Sequence, residues 1–129
     1  MSDQIKHECA VTLLRLRKGA AFYREKYGVA DFGGTKLSLL LEKQHNRGQD
    51  GAGAAALTLE PEPGSSAYHT LKSAVENPLA DLLSQIARRR FLGETLFLGH
   101  LRYATYGKGD VSFCHPFVHK SPRLKRTLF

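Results

Sequence analysis

The stretch from Gln44 to Gly53, reading Gln-His-Asn-Arg-Gly-Gln-Asp-Gly-Ala-Gly, constrains this chain more than any other. Leu37, Leu40, Leu41 and Gln44 lead into it at helical spacing, which predicts an amphipathic helix over about 35–46. Gly51 to Leu59 leads out of it as a run of small residues ending in Leu57 and Leu59. We expect a strand there, packed very close to another layer, with a helix as the open alternative because alanine favours it. The turn between them must be tight. Gly48, Gly51 and Gly53 permit positive φ or close backbone approach, and Arg47 and Asp50 place fixed charges of both signs inside it. Taken alone, this is a helix-to-strand loop with a solvated ion pair.

The flanking pattern extends this alternation of helix and strand. Cys9 to Leu16 is apolar, with Val11 and Thr12, and reads as a buried strand. Residues 18–34 form a connection rich in Gly, Tyr and charge, with a short helix near Phe22 to Tyr27. Glu60 to Ser66 is a turn or flexible loop. Asn77 followed by Pro78 is an N-cap with proline at the first helical position. Leu79, Leu82, Leu83 and Ile86 continue that helix, and Arg88 to Arg90 close it where positive charge suits the dipole. Thr95 to Leu101 reads as a strand, and Arg126 to Phe129 as the start of another. The fold class is α/β in the α+β sense, in one small domain.

Composition narrows the function classes. A chain of 129 residues with 42% hydrophobic and 24% charged content is that of an ordinary soluble globular protein. It has no apolar run of about 18 residues and its polar N-terminus has no signal-peptide core, so we expect a cytoplasmic protein without a membrane partner. The net charge of +7 would favour an acidic partner. Its basic clusters, at 15–18, 88–90 and 120–126, are scattered and form no single stripe, which argues against nucleic acid. Cys9 and Cys114 make no disulfide framework. With His7, His115 and His119 they are zinc-ligand types, but their spacing does not match a closed four-ligand site, and we expect no metal.

Three segments carry chemistry. Cys9 opens a strand near the N-terminus, and a thiol there is a nucleophile if a base takes its proton. An inert buried thiol is the commoner fate of a free cysteine. Arg102 closes a strand with a planar guanidinium suited to a carboxylate, and Thr105 could donate to the same ligand. Taken in order, Cys9, Arg47-Gly48-Gln49-Asp50-Gly51-Ala52-Gly53, Gly99-His100-Leu101-Arg102-Tyr103-Ala104-Thr105 and Pro116-Phe117 resemble the N-terminal-nucleophile, or class II, glutamine amidotransferase domain. The nearest likeness is to the glutaminase half of the amidophosphoribosyltransferases of purine biosynthesis, whose full-length members are homo-oligomeric.

The resemblance implies a partial N-terminal-nucleophile hydrolase αββα sandwich. It implies that residues 1–8 are a propeptide, and that 9–129 form the first half of the glutaminase domain, a truncated part inactive alone. Cys9 is then the nucleophile, its own α-amine the base once residues 1–8 are gone, with a reference pKa of about 8. Arg102 clamps the glutamine α-carboxylate and Thr105 is a neighbouring contact. Arg47, Gly48 and Asp50 belong to the supporting loop. Glutamine is the substrate, and no cofactor is implied in this chain. Two departures stand out. Ala10 follows the nucleophile where the family has glycine, and the family's oxyanion Asn-Gly pair is missing, because Asn46 and Asn77 precede Arg47 and Pro78. The alternatives are a non-catalytic remnant acting as an interaction module, and a zinc- or nucleic-acid-binding small domain.

Overall fold

A computed structural model describes residues 8–121 and 126–128, with side chains to residue 120. It is a mixed α+β structure built on a four-stranded antiparallel sheet. In chain order the elements are β1 (Ala10–Arg15), α1 (Ala20–Tyr27), α2 (Phe32–Lys43), β2 (Gly51–Leu57), β3 (Tyr68–Ser73), α3 (Pro78–Arg89) and β4 (Leu96–Arg102). A single 3₁₀ turn at Val111–Phe113 follows, and then a two-stranded ribbon of β5 (His119–Ser121) and β6 (Arg126–Leu128).

The sheet order is β1-β4-β2-β3, so the three strands expected from sequence are neighbours with β4 between β1 and β2. In register, Ala10 faces Leu101, Gly51 faces Arg102, and Ala52 also faces Leu101. These pairings bring the start of β1, the start of β2 and the end of β4 to one corner.

The composition of β2 follows from what lies on its two faces. Ala52, Ala54 and Ala56 join Phe97, Leu101, Leu37, Leu41, Leu82 and Ile86 in the core. This core is the helix-covered side, and α2 and α3 also pack against each other there. Gly99 lets α2 sit down on β4: a Cβ on it would come within 2.8 Å of Leu41 and 3.1 Å of Leu37. Gly51 and Gly53 alternate with the core alanines and face the segment 114–116 instead, where a Cβ would collide with Cys114 Sγ and the His115 carbonyl. Strand is therefore the correct reading of the Ala-rich run, and close approach explains its glycines. Truncating Leu37 or Leu82, both fully buried, would cost about 2–5 kcal/mol.

The boundaries of α2 and β2 differ from expectation. Helix α2 starts at Phe32, because the Asp31 carboxylate caps it by accepting from Gly34 N–H at 2.9 Å. The Gly33-Gly34 pair that reads as linker is first-turn helix, and Gly33 lies where a side chain would strike the Phe97 ring. Helix α2 also ends at Lys43, leaving Gln44 as its C-cap, where its side chain meets the Thr12 hydroxyl at 3.3 Å. Strand β2 ends at Leu57, and Leu59 is exposed. Strand β3 has no counterpart among the elements expected from sequence. The Asn77 cap holds, with its side-chain oxygen accepting from Ala80 N–H at 3.3 Å. The expected C-terminal strand is present as β6, paired antiparallel with β5. No helix among the described residues is long and apolar enough to cross a membrane.

Candidate functional site

The corner where β1, β2 and β4 meet collects the residues of all three motifs. Cys9 lies one residue before β1 and is exposed. Tyr103, one residue beyond β4, donates its N–H to Cys9 Sγ at 3.4 Å. The thiol therefore sits against the end of the strand that supplies Arg102.

The 44–50 turn closes the corner from below. Gly48 has no room for a side chain, since a Cβ would overlap the backbone of Leu101 and Arg102. Its N–H donates to the carbonyl of Glu8 at 2.9 Å. The guanidinium of Arg47 pairs with the Glu8 carboxylate, while its Nε is buried without a hydrogen-bond partner among the described residues. Both side chains of this pair are more than a third exposed, so screening limits its share of stability to about 0–1 kcal/mol. Asp50 turns the other way. Its N–H donates to the Arg102 carbonyl at 2.9 Å, and its carboxylate accepts from Ala104 N–H at 2.9 Å and meets Lys108 Nζ at 3.2 Å. Burial alone would raise the Asp50 carboxyl; the Ala104 N–H, the Lys108 ammonium and the Arg102 charge outweigh it and hold the group below the usual carboxylate value. Arg47 and Asp50 are thus not partners of each other, as an isolated loop ion pair would require. Each ties the turn to a different distant segment.

Arg102 is buried, and its guanidinium folds back onto its own loop. One terminal nitrogen donates to the Gly107 carbonyl at 3.1 Å, the other to the Tyr106 carbonyl, and the group lies over the Phe113 ring. Two carbonyl oxygens, one on each terminal nitrogen, occupy the donors that a bidentate carboxylate would take. Thr105 is exposed in the same loop. Two clefts flank the 46–47 turn. One, of about 460 Å³, is lined by residues including Arg47, Asp50, Tyr103 and Lys108; the other, of about 430 Å³, by residues including Cys9, Gln44 and Arg47. Ala10 is buried on the core side, so its methyl packs into the core.

Behind the corner, the His100 and His115 rings lie with centroids 4.5 Å apart and planes tilted by 52°, beside a cavity of about 240 Å³ whose lining includes Val11 and Pro116. Burial, then His115, then Arg102 push the His100 imidazole down to about 4. Cys114 is fully buried with its thiol 3.6 Å from the Ser73 carbonyl, and burial pushes that thiol up. Among the described residues no three His, Cys, Asp or Glu side chains are grouped as a metal ion would need, and His7 lies outside the described residues.

The structure thus brings Cys9, Arg47, Gly48, Asp50 and the backbone of residues 102–104 together. The parts that sequence reasoning did not assign are Glu8 as the partner of Arg47, Lys108 as the partner of Asp50, and the Tyr103 N–H beside the sulfur. All three are contacts between segments far apart in the chain, and no local spacing announces them. No family model, no curated protein and no solved structure matches this chain.

Proposed function

We propose that this chain carries the nucleophile side of an N-terminal-nucleophile glutamine amidotransferase domain of the amidophosphoribosyltransferase kind, which hydrolyses glutamine to glutamate and ammonia. The observation that carries this reading is the meeting of the exposed Cys9 thiol with the Arg47–Asp50 turn and the end of β4 at one corner. A sheet with both long helices on one face supports the αββα sandwich of that family, with the second sheet over the other face. On β1 that other face carries Val11 and Leu13, 69% and 67% exposed.

In the proposed reaction, Cys9 begins the mature chain. Its α-amine takes the thiol proton as Sγ attacks the glutamine side-chain amide carbon. Collapse of the tetrahedral adduct expels ammonia, with its proton supplied by the α-ammonium, and leaves a thioester. Water then hydrolyses the thioester to glutamate and restores the thiol. Arg102 receives the substrate α-carboxylate by exchanging its two carbonyl partners for an anionic one, a stronger, charge-assisted pair. Thr105 stands in the same loop as a neighbouring contact. Asp50 fixes the 102–104 backbone against the turn. Without the Asn-Gly oxyanion pair, each missing donor would cost about 10²–10³ in rate, so these residues alone would keep at most a trace of the activity. The test is ammonia release by the chain beginning at Cys9. Slow, glutamine-saturable release that Cys9→Ala abolishes supports the proposal; equal release from both proteins defeats it.

A further inference from the structure

The end of the sheet opposite Cys9 carries a second concentration of side chains, unrelated to the glutaminase corner. Strand β1 leaves that corner at Ala10 and ends here at Arg15. Leu16 N–H then donates to the Thr95 carbonyl at 2.7 Å, which holds the residues after β1 against the segment between α3 and β4. Two basic clusters that are far apart in sequence, Arg15–Lys18 and Arg88–Arg90, thus approach the same end, and α1 adds Arg24 and Lys26. Among the described residues, Arg17, Lys18, Arg24, Lys26 and Arg90 form no ion pair. Glu25 on α1 is exposed, whereas the Glu94 carboxylate is engaged by His69 at 3.5 Å and by Gly93 N–H.

Between the two clusters lies a cleft of about 170 Å³ whose lining includes Leu16, Ala20, Tyr23, Phe32, Phe91 and Leu92, with Lys18 beside them. It has room for one apolar side chain rather than for a larger ligand. Around it Phe22, Tyr27 and Leu92 stay 41%, 52% and 46% exposed, and α1 has no buried residue. Exposed apolar groups inside a charged rim are the anatomy of a protein interface. Arg90, the C-cap of α3, has a φ of 52°, a conformation that favours glycine, yet it presents an exposed cation there. The rings leave little for a nucleic-acid base to stack on. Phe32 lies against Tyr23 at 4.5 Å and Tyr27 at 5.1 Å, Lys18 and Lys26 lie over Phe22, and Lys26 also lies over Tyr27.

We propose that this end of the sheet docks an acidic segment of a partner protein, one apolar side chain of which enters the cleft while its carboxylates meet Arg17, Lys18 and Arg90. The cleft supplies the anchor and the unpaired cations select the charge. The test is fluorescence anisotropy of the full 129-residue chain with a labelled peptide of glutamates around one central leucine. Binding should saturate and weaken as salt rises. Replacing the peptide's leucine by alanine should weaken it about tenfold, through lost burial. Lys18→Glu and Arg90→Glu should each weaken it about tenfold at low salt, because attraction becomes repulsion. Lys43→Glu, an equal change of charge at the other end of α2, should leave it at the parent value. Arg90→Gly suits the positive φ, so it should keep the parent's thermal midpoint while losing affinity. Absence of saturable binding, equal binding of the alanine peptide, or equal losses from Lys43→Glu and Lys18→Glu would overturn the inference. So would Arg90→Gly binding like the parent. Tighter binding of a single-stranded oligonucleotide or of phosphatidylserine vesicles, weakened by the same charge reversals, would give the surface a different partner and overturn it too.

Discussion

Cys9 and Cys114 carry the same thiol into opposite surroundings. Cys9 stands at the free end of β1, exposed, with the Tyr103 N–H on its sulfur. Cys114 is sealed between Gly51 and the Ser73 carbonyl, and burial holds its proton on. The difference comes from neighbours rather than from the residue. A strand end whose partner strand runs one residue further leaves a sulfur open on one side. A glycine strand under a crossing loop closes every side. The first arrangement leaves a thiol open to approach from outside, and the second ties it into the packing.

The largest expected effect is on the open side. Cys9→Ala should abolish glutamine hydrolysis while leaving the thermal midpoint within a degree or so, because an exposed side chain contributes little to folding. Differential scanning fluorimetry beside an ammonia assay reads both. Arg102→Lys should come next. It removes the planar pair of donors, so glutamine binding should weaken by about 1.5–3 kcal/mol, roughly tenfold to a hundredfold. It also releases the Tyr106 and Gly107 carbonyls, so a modest loss of stability should accompany the rise in KM. A loss of stability with glutamine saturation unchanged would make Arg102 a loop brace and nothing more.

On the closed side, Cys114→Ser should do the reverse of Cys9→Ala. Burying a hydroxyl where the thiol packs should cost about 1–3 kcal/mol in urea unfolding. The reactivity of Cys9 should be unchanged. The smallest effect concerns pH. The unfolded His100 imidazole takes a proton near 6.5, whereas the folded one is held down to about 4, first by burial, then by His115 and Arg102. Its depressed value means that the folded chain binds the proton less readily. The neutral-imidazole contribution is therefore full above about pH 6.5 and is lost as pH falls toward 4, by about 1–3 kcal/mol after allowing for its partial exposure. His100→Gln should flatten the urea midpoint between pH 6.5 and 4.5; a slope equal to that of the parent would assign the pH dependence to other groups.

The sequence was informative where periodicity and capping act locally. Asn77-Pro78 marks the start of α3, and the small residues of β2 announce a closely packed layer, though not that both faces are covered. It was misleading where a distant contact decides the matter. Gly33 and Gly34 look like a linker until the Phe97 ring lies against Gly33. Strand β3, Tyr-His-Thr-Leu-Lys-Ser, is an edge strand whose half-buried side chains give no clean alternation. In the site, Arg47 and Asp50 are adjacent enough in sequence to suggest each other as partners, and pairing with Glu8 and Lys108 requires the folded corner. Arg102 could be singled out by its place at a strand end, but not its hold on its own loop, which depends on the turn at Tyr106–Gly107.

A glutamine-directed nucleophile at Cys9 differs from an ordinary exposed thiol in what it recognises before it reacts. The most direct measurement is covalent labelling of the chain beginning at Cys9 by a glutamine analogue with an electrophilic side-chain terminus, located by peptide mass spectrometry. Such labelling needs substrate recognition and the thiol but not rapid turnover. The prediction is one adduct on Cys9, none on Cys114, and protection by glutamine but not by asparagine. Labelling of Cys9 that glutamine does not slow, or no labelling at all in the folded protein, would contradict the account.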